Sequence, residues 1–207
     1  MCIRDSDETG RVEDPLGARA DLEAGILRFV GTATRRVEED ALRMLRYCRF
    51  LPHFGTAGTD DDALAALAGK AGLAANLSGE RIANEVSRLL AGPGAAAAIT
   101  LMQETGLAAA ALAGTLDSGR LTPEIDQAVA TVFGSDNPAW LVRLAVIMQP
   151  GMADSLATRL RLSRWDSQLL HALDRDMADA DAGDHVHALT AKTWRQAAWW
   201  RCQADMM

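Results

Sequence analysis

The chain has 207 residues, 49% of them hydrophobic but only 5% aromatic, with a formal net charge of −7. That length suffices for a sizeable buried core in one domain or two small ones, and alanine and leucine in place of aromatics favour helices over sheets. The acidic balance excludes a general affinity for nucleic acid, so any RNA contact must come from local basic patches. No apolar run approaches the roughly 18 residues of a membrane span, and no signal-peptide pattern opens the chain. Cys2, Cys48 and Cys202 are too scattered for a disulfide framework or a zinc site, which fits a reducing cytoplasm.

In chain order, Asp14 to Asp21 is rich in turn formers, and Ile26 to Val30 reads as a short strand, apolar but for Arg28. A helix is expected over Arg36 to Phe50, stopping before Gly55 because Pro52 cannot continue it. Asp60, Asp61 and Asp62 read as an N-cap and first-turn acids of a helix reaching about Ala71. Leu77-Ser78 opens the next helix, with Ser78 as N-cap, Leu77 stapled onto Ile82, and a buried stripe of Ile82, Val86, Leu89 and Leu90. Ala91-Gly-Pro-Gly94 is the clearest break. Beyond it, helical stretches are expected over 95–105, 123–133, 138–147, 153–160, 163–177 and 188–202. Leu107 to Ala113 forms a short apolar segment, and 117–123 a loop.

The stretch Arg36 to Phe50 is the one place where charge and helical phase combine into something chemically specific. At about 100° per residue, Ala41, Leu42, Met44, Leu45 and Cys48 form an apolar arc. Asp40, Arg43, Arg46 and Tyr47 lie opposite, and Arg49 sits at the margin. Glu39 stands one turn before Arg43, the favourable order for an ion pair. Five arginines and three acids fall between Arg35 and Arg49, so the segment is locally positive. Arg43, Arg46 and Arg49 recur every third residue, and guanidinium forks suit base edges and phosphates. Asp40 adds an acceptor beside these donors, as reading a base edge requires. By pattern alone, a solvated face with ion pairs and a nucleotide site both remain open.

Three motifs then carry a resemblance. Asp14-Pro-Leu-Gly-Ala-Arg-Ala-Asp21-Leu22, Ile26-Leu-Arg-Phe-Val-Gly31 and Arg36-Val-Glu39-Asp40 through Arg43, Arg46, Arg49 and Phe50 follow one another in order and spacing. Together they resemble the class II tRNA nucleotidyltransferase and poly(A) polymerase family, which includes the CCA-adding enzymes. Two departures are Ala18, where a second glycine is usual, and Thr32-Ala33 in place of Asp-Pro. Met1 to Ser6 match nothing in the pattern, which suggests a start imposed by truncation or sequence error.

The resemblance implies a mainly α fold: a short β remnant of the catalytic head over 1–34, a helical nucleobase-reading neck over 35–94, and a helical tRNA-contacting body over 95–207. It implies addition of C, C and A to the tRNA 3′ end from CTP and ATP, using magnesium. Asp40 and Arg43 would hydrogen-bond the incoming base, while Arg46 and Arg49 continue toward sugar and phosphates. Glu39 would support them. Leu77-Ser78-x-Glu80-Arg81-Ile82-x-x-Glu85 resembles the next motif of the family, so Glu80 and Arg81 either brace the reading helix or simply open a solvated one. The family's metal-binding carboxylates would lie upstream of Asp14 and are not present, so catalytic residues are not expected in this chain and it should not catalyse alone. Poly(A) polymerases and A-adding or CC-adding relatives share these motifs. A non-catalytic helical nucleotide- or RNA-binding module is the alternative from another class.

Other features point less specifically. His185 and His187, near Asp181 and Asp184, lack a third ligand at suitable spacing and read as a solvated loop. Trp194, Trp199 and Trp200 beside Arg195 and Arg201 could stack on RNA bases but suit packing better. No Ser/His/Asp set has local motif support.

Overall fold

The computed structural model describes residue 14 and residues 17–112, 114–133 and 139–178. The mainly helical expectation holds. Helices α1 (Ala18–Glu23), α2 (Ala33–Glu39), α3 (Leu42–Phe54) and α4 (Asp61–Lys70) come first, followed by a 3₁₀ segment, Ala71–Asn76. Next are α5 (Gly79–Ala91), α6 (Ala95–Glu104) and α7 (Leu107–Leu112), then a second 3₁₀ turn, Ser118–Arg120. Helices α8 (Pro123–Phe133), α9 (Ala139–Ile147), α10 (Ala153–Leu160) and α11 (Arg164–Ala178) complete the described residues. The helix expected over 188–202, with its tryptophans, and the His185–His187 loop lie outside them.

Helix α3 is central, packing against α5 and α6, while α2 lies on α4, α5 on α9 and α10 on α11. Its core face is the one the spacing predicts: Leu42, Met44, Leu45 and Cys48 are buried, the last three completely. Each such aliphatic side chain contributes roughly 1.5–3 kcal/mol by leaving water. The same apolar cluster runs without interruption from Ala33 to Leu173, across the break at Gly94. On α5 the stripe Ile82, Val86, Leu89 and Leu90 is buried as expected.

Four local expectations are corrected. The stretch Arg36 to Phe50 is two helices: Asp40 is extended (φ −156°, ψ 105°) and separates α2 from α3. Its carboxylate accepts from the Leu42 amide at 3.1 Å and its carbonyl from the Arg43 amide at 3.1 Å, so an aspartate turn competes successfully with the helix. Tyr47, placed on the polar arc, is 4% exposed. It stacks on Phe29 with centroids 5.2 Å apart and donates its hydroxyl to the Leu27 carbonyl at 3.1 Å, so an amphipathic ring bridges core and turn. Helix α3 ends at Phe54, before Gly55 as expected, but Pro52 does not stop it: the helix runs through the proline, and Gly55 caps it by donating to the Leu51 carbonyl at 2.8 Å. Proline falls in the last turn, where little ladder remains to lose. The expected strand Ile26 to Val30 is only a single parallel bridge, Leu27 to Thr59.

Capping follows the acids. Asp60 is the N-cap of α4, accepting from the Ala63 amide at 3.0 Å, with Asp61 and Asp62 in the first turn. Ser78 occupies the N-cap position of α5 without a side-chain capping bond.

Candidate functional site: the arginine ladder and its carboxylates

The ladder on α3 is held by acids from two directions. At the α2 end, Glu39 receives Arg43 Nη1 at 2.7 Å and also pairs with Arg36 and, at 3.5 Å, Arg35. The same Arg43 nitrogen donates to the Arg36 carbonyl at 2.8 Å. The Glu39–Arg43 pair expected from spacing therefore forms, but across the break at Asp40 rather than along one helix. The hydrogen bond from Arg43 is the main reason the Glu39 carboxyl sits below the usual range; the charges of Arg36 and Arg35 add to it.

Asp40 itself faces α5. Arg81 Nη2 donates to both its oxygens, at 2.9 and 3.0 Å. Burial alone would raise this carboxyl, but the Leu42 amide and the Arg81 guanidinium outweigh it and hold it below the ordinary aspartate value. Asp40 and Arg43 are joined by the backbone turn, the Arg43 amide donating to the Asp40 carbonyl, while their side chains rest on different partners. Their side chains are 27% and 29% exposed, so both remain within reach of a ligand.

The other two rungs meet on one carboxylate. Arg46 Nε donates to Glu85 Oε1 and Arg49 Nε to Glu85 Oε2, each at 2.9 Å. Glu85 is 5% exposed, Arg49 18% and Arg46 49%. Arg49 also lies over the Phe50 ring, 4.1 Å from its centroid. Two arginines against one glutamate leave this pair of rungs net positive. Of the supporting residues named from sequence, Glu39 and Arg81 touch the ladder or Asp40 directly. Glu80 does not: it turns to Arg161 of the turn after α10, at 2.9 Å. The sequence reading missed Glu85 as a brace. Its signal was a charged residue set among Ile82, Val86 and Leu89 on the apolar side of α5, which is tolerated only with partners.

Other candidates are set apart from this cluster. A shallow recess beside the start of α2 is lined by Gly31, Thr32, Ala33, Thr34, Asp62 and Ala65 and contains none of the predicted site residues. Among the described residues no three His, Cys, Asp or Glu side chains are grouped to hold a metal ion. The described residues therefore do not fit a magnesium site. Cys48 is buried, and burial pushes its thiol up to about 12, so it is not a nucleophile. Among the described residues no helix is long and apolar enough to cross a membrane.

The chain is similar to several known proteins. Residues 60–115 match the family model described as the probable RNA and SrmB-binding site of polymerase A. The CCA-adding enzymes of Geobacillus thermodenitrificans and Geobacillus stearothermophilus are each 45% identical over 101 residues, covering 49% of this chain and 25% of theirs. The multifunctional CCA protein of Pseudomonas aeruginosa is 36% identical over 137 residues, 64% of this chain and 29% of its own length. The chain thus spans only about a quarter of the length of the curated relatives it matches. Among solved structures, the Bacillus stearothermophilus CCA-adding enzyme in complex with CTP matches with a TM-score of 0.67 at 27% identity, covering 92% of this chain and 50% of that one. The Thermotoga maritima CCA-adding enzyme complexed with tRNA shares the fold, with a TM-score of 0.60 at 19% identity over 82% of this chain and 44% of that one.

The described fold matches the helical part of CCA-adding enzymes. Over about half of its length the chain is similar in sequence to CCA-adding enzymes, and residues 60–115 match the polymerase A RNA-binding model.

Proposed function

We propose that this chain supplies nucleotide selection to a tRNA nucleotidyltransferase that adds CCA to tRNA 3′ ends from CTP and ATP. In this reading residues 1–34 are the end of the catalytic head, 35–94 the neck and 95–207 the tRNA-contacting body. Magnesium would be held by parts of the intact enzyme other than the residues described here, where it would neutralise triphosphate charge. The observation that carries the proposal is the turn joining Asp40 and Arg43, the Arg43 amide donating to the Asp40 carbonyl at 3.1 Å, with about a quarter of each side chain, one an acceptor and one a donor fork, open. Such a pair complements the edge of cytosine or adenine and leaves the reversed pattern of uracil unpaired, at roughly 1–3 kcal/mol per unsatisfied group. Arg46 and Arg49 extend the positive face toward sugar and phosphates, Arg46 through the half of its side chain open to solvent. Glu39 and Arg81 orient the readers from either side.

Titration of the chain with CTP, ATP and UTP, read by calorimetry, tests this. Binding of CTP and ATP but not UTP, lost in Arg43→Ala, is expected. Equal binding of all three, or binding unaffected by Arg43→Ala, would sink it. A second reading, poly(A) polymerase, is favoured by the description of the family model over 60–115. It predicts binding of ATP alone.

A further inference from the structure

The start of α5, which carries Arg81 to Asp40, is gripped from the body side. Arg159, in the last turn of α10, donates to the carbonyls of Leu77 at 3.0 Å, Ala74 at 3.1 Å and Ala75 at 3.2 Å. A Cβ on Gly79 would lie 2.2 Å from the Arg159 carbonyl oxygen, so the two backbones touch where only glycine fits. Arg161 then reaches Glu80 at 2.9 Å. Arg161 is also the one non-glycine residue among those described with positive φ, at φ 50° and ψ 48°, where it ends α10. Glycine fills that position at lower cost. An arginine there, at a strained backbone position, points to a use for its side chain.

The ion pair it makes does not supply that use through stability. Arg161 and Glu80 are 68% and 56% exposed, and exposed pairs contribute little. What the pair does supply is orientation. Gly79, Glu80 and Arg81 are consecutive, so a body contact at the first two fixes the backbone from which the third projects to Asp40.

We propose that the turn Arg159 to Arg161 is a positioning element: it fixes the first turn of α5 so that Arg81 meets Asp40 in one orientation, coupling the body to the nucleobase-reading carboxylate. The functional half of this rests on the proposed reading role of Asp40; the geometric half does not.

The test uses the full 207-residue chain and three variants. Arg161→Gly removes the side chain and relieves the positive φ. Arg161→Lys keeps the charge. Gly79→Ala wedges α5 away from Arg159. Carbon-detected NMR titration of the Asp40 carboxyl is the first readout, thermal unfolding the second, and affinity for CTP against UTP the third. The Asp40 midpoint should move up toward the ordinary aspartate value in Arg161→Gly and further in Gly79→Ala, and should return in Arg161→Lys. The Arg161→Gly chain should melt close to wild type, while its CTP affinity falls about 3- to 10-fold. A merely structural role would lower the melting temperature and leave Asp40 unmoved. An Asp40 midpoint unchanged in Arg161→Gly overturns the proposal, even if Gly79→Ala fails to fold. If Asp40 shifts and CTP binding does not follow, the positioning element stands and the reading role of Asp40 fails.

Discussion

Removing the negative charge of Glu85 should loosen the packing of α5 on α3 more than any other single change to the ladder. The Glu85→Gln side chain keeps its shape and one acceptor oxygen but turns an amide N–H₂ toward a guanidinium. The Arg49 contact is sheltered, with 5% and 18% exposure on its two sides, so a charge-assisted hydrogen bond of about 1.5–3 kcal/mol is at stake. The Arg46 contact is half in water and is discounted to about 0.5–1 kcal/mol. Allowing for the acceptor that Gln retains, the loss should be about 2–3 kcal/mol. For a chain of this size that corresponds to a melting temperature lower by roughly 4–12 °C. Urea unfolding should show the same loss as a lower midpoint with an unchanged slope. A double-mutant cycle apportions it: Glu85→Gln with Arg49→Met should couple by about 1–2 kcal/mol more than Glu85→Gln with Arg46→Met. A Glu85→Gln chain within about 0.5 kcal/mol of wild type, or equal coupling to both arginines, would refute the claim that burial makes this carboxylate the anchor of the ladder.

Three further outcomes follow from individual contacts. Cys48, buried and with its thiol pushed up to about 12, should resist iodoacetamide at pH 8 while the chain is folded and react once it unfolds; mass spectrometry of the modified peptide distinguishes the two. His171 is raised above its ordinary value first by its hydrogen bond to Asp154, across 2.6 Å, and then by the Ser167 carbonyl. Its stabilising contribution is therefore complete below the unfolded histidine pKa and fades as pH rises through the higher native value. The destabilisation caused by His171→Asn should accordingly shrink between pH 6 and pH 8.5, and a difference that grows with pH would contradict it. Gly94 has φ +71° and a Cβ there would lie 2.5 Å from Pro52 Cβ, whereas Gly17 at φ +68° has nothing within 4 Å. Chemical denaturation should register about 2–4 kcal/mol for Gly94→Ala, from left-handed backbone plus overpacking, and only about 1–2 for Gly17→Ala.

What could be read from sequence depended on whether a residue answers to its own helix or to another. The core face of α3 and the stripe of α5 follow local periodicity, and Met44, Leu45, Ile82 and Val86 are buried where the spacing puts them. Asp60 capping α4 is likewise a local matter. Tyr47 was misplaced because its partners, Phe29 and Leu27, come from a turn some 20 residues earlier, which periodicity does not see. Asp40 was misplaced for the opposite reason: an acid that bonds its own neighbouring amide can break a helix that the flanking apolar pattern would continue. The arginine spacing identified the ladder, but not that Arg46 and Arg49 would share Glu85, 36 to 39 residues away. Nothing local announced the contacts of Arg159 and Arg161, since those with α5 and the 3₁₀ segment before it cross about 80 residues.

The extended backbone at Asp40 has one more consequence. In a continuous helix, residues three apart would keep a fixed angle, and the gap between Asp40 and Arg43 would be a constant of helical pitch. Here the guanidinium is mounted on α3, seated in the core through Met44 and Leu45, while the carboxylate is shared between the first turn of α3, through the Leu42 amide, and α5, through Arg81. A substitution in the seam between α3 and α5 can therefore re-aim the carboxylate without touching either polar residue.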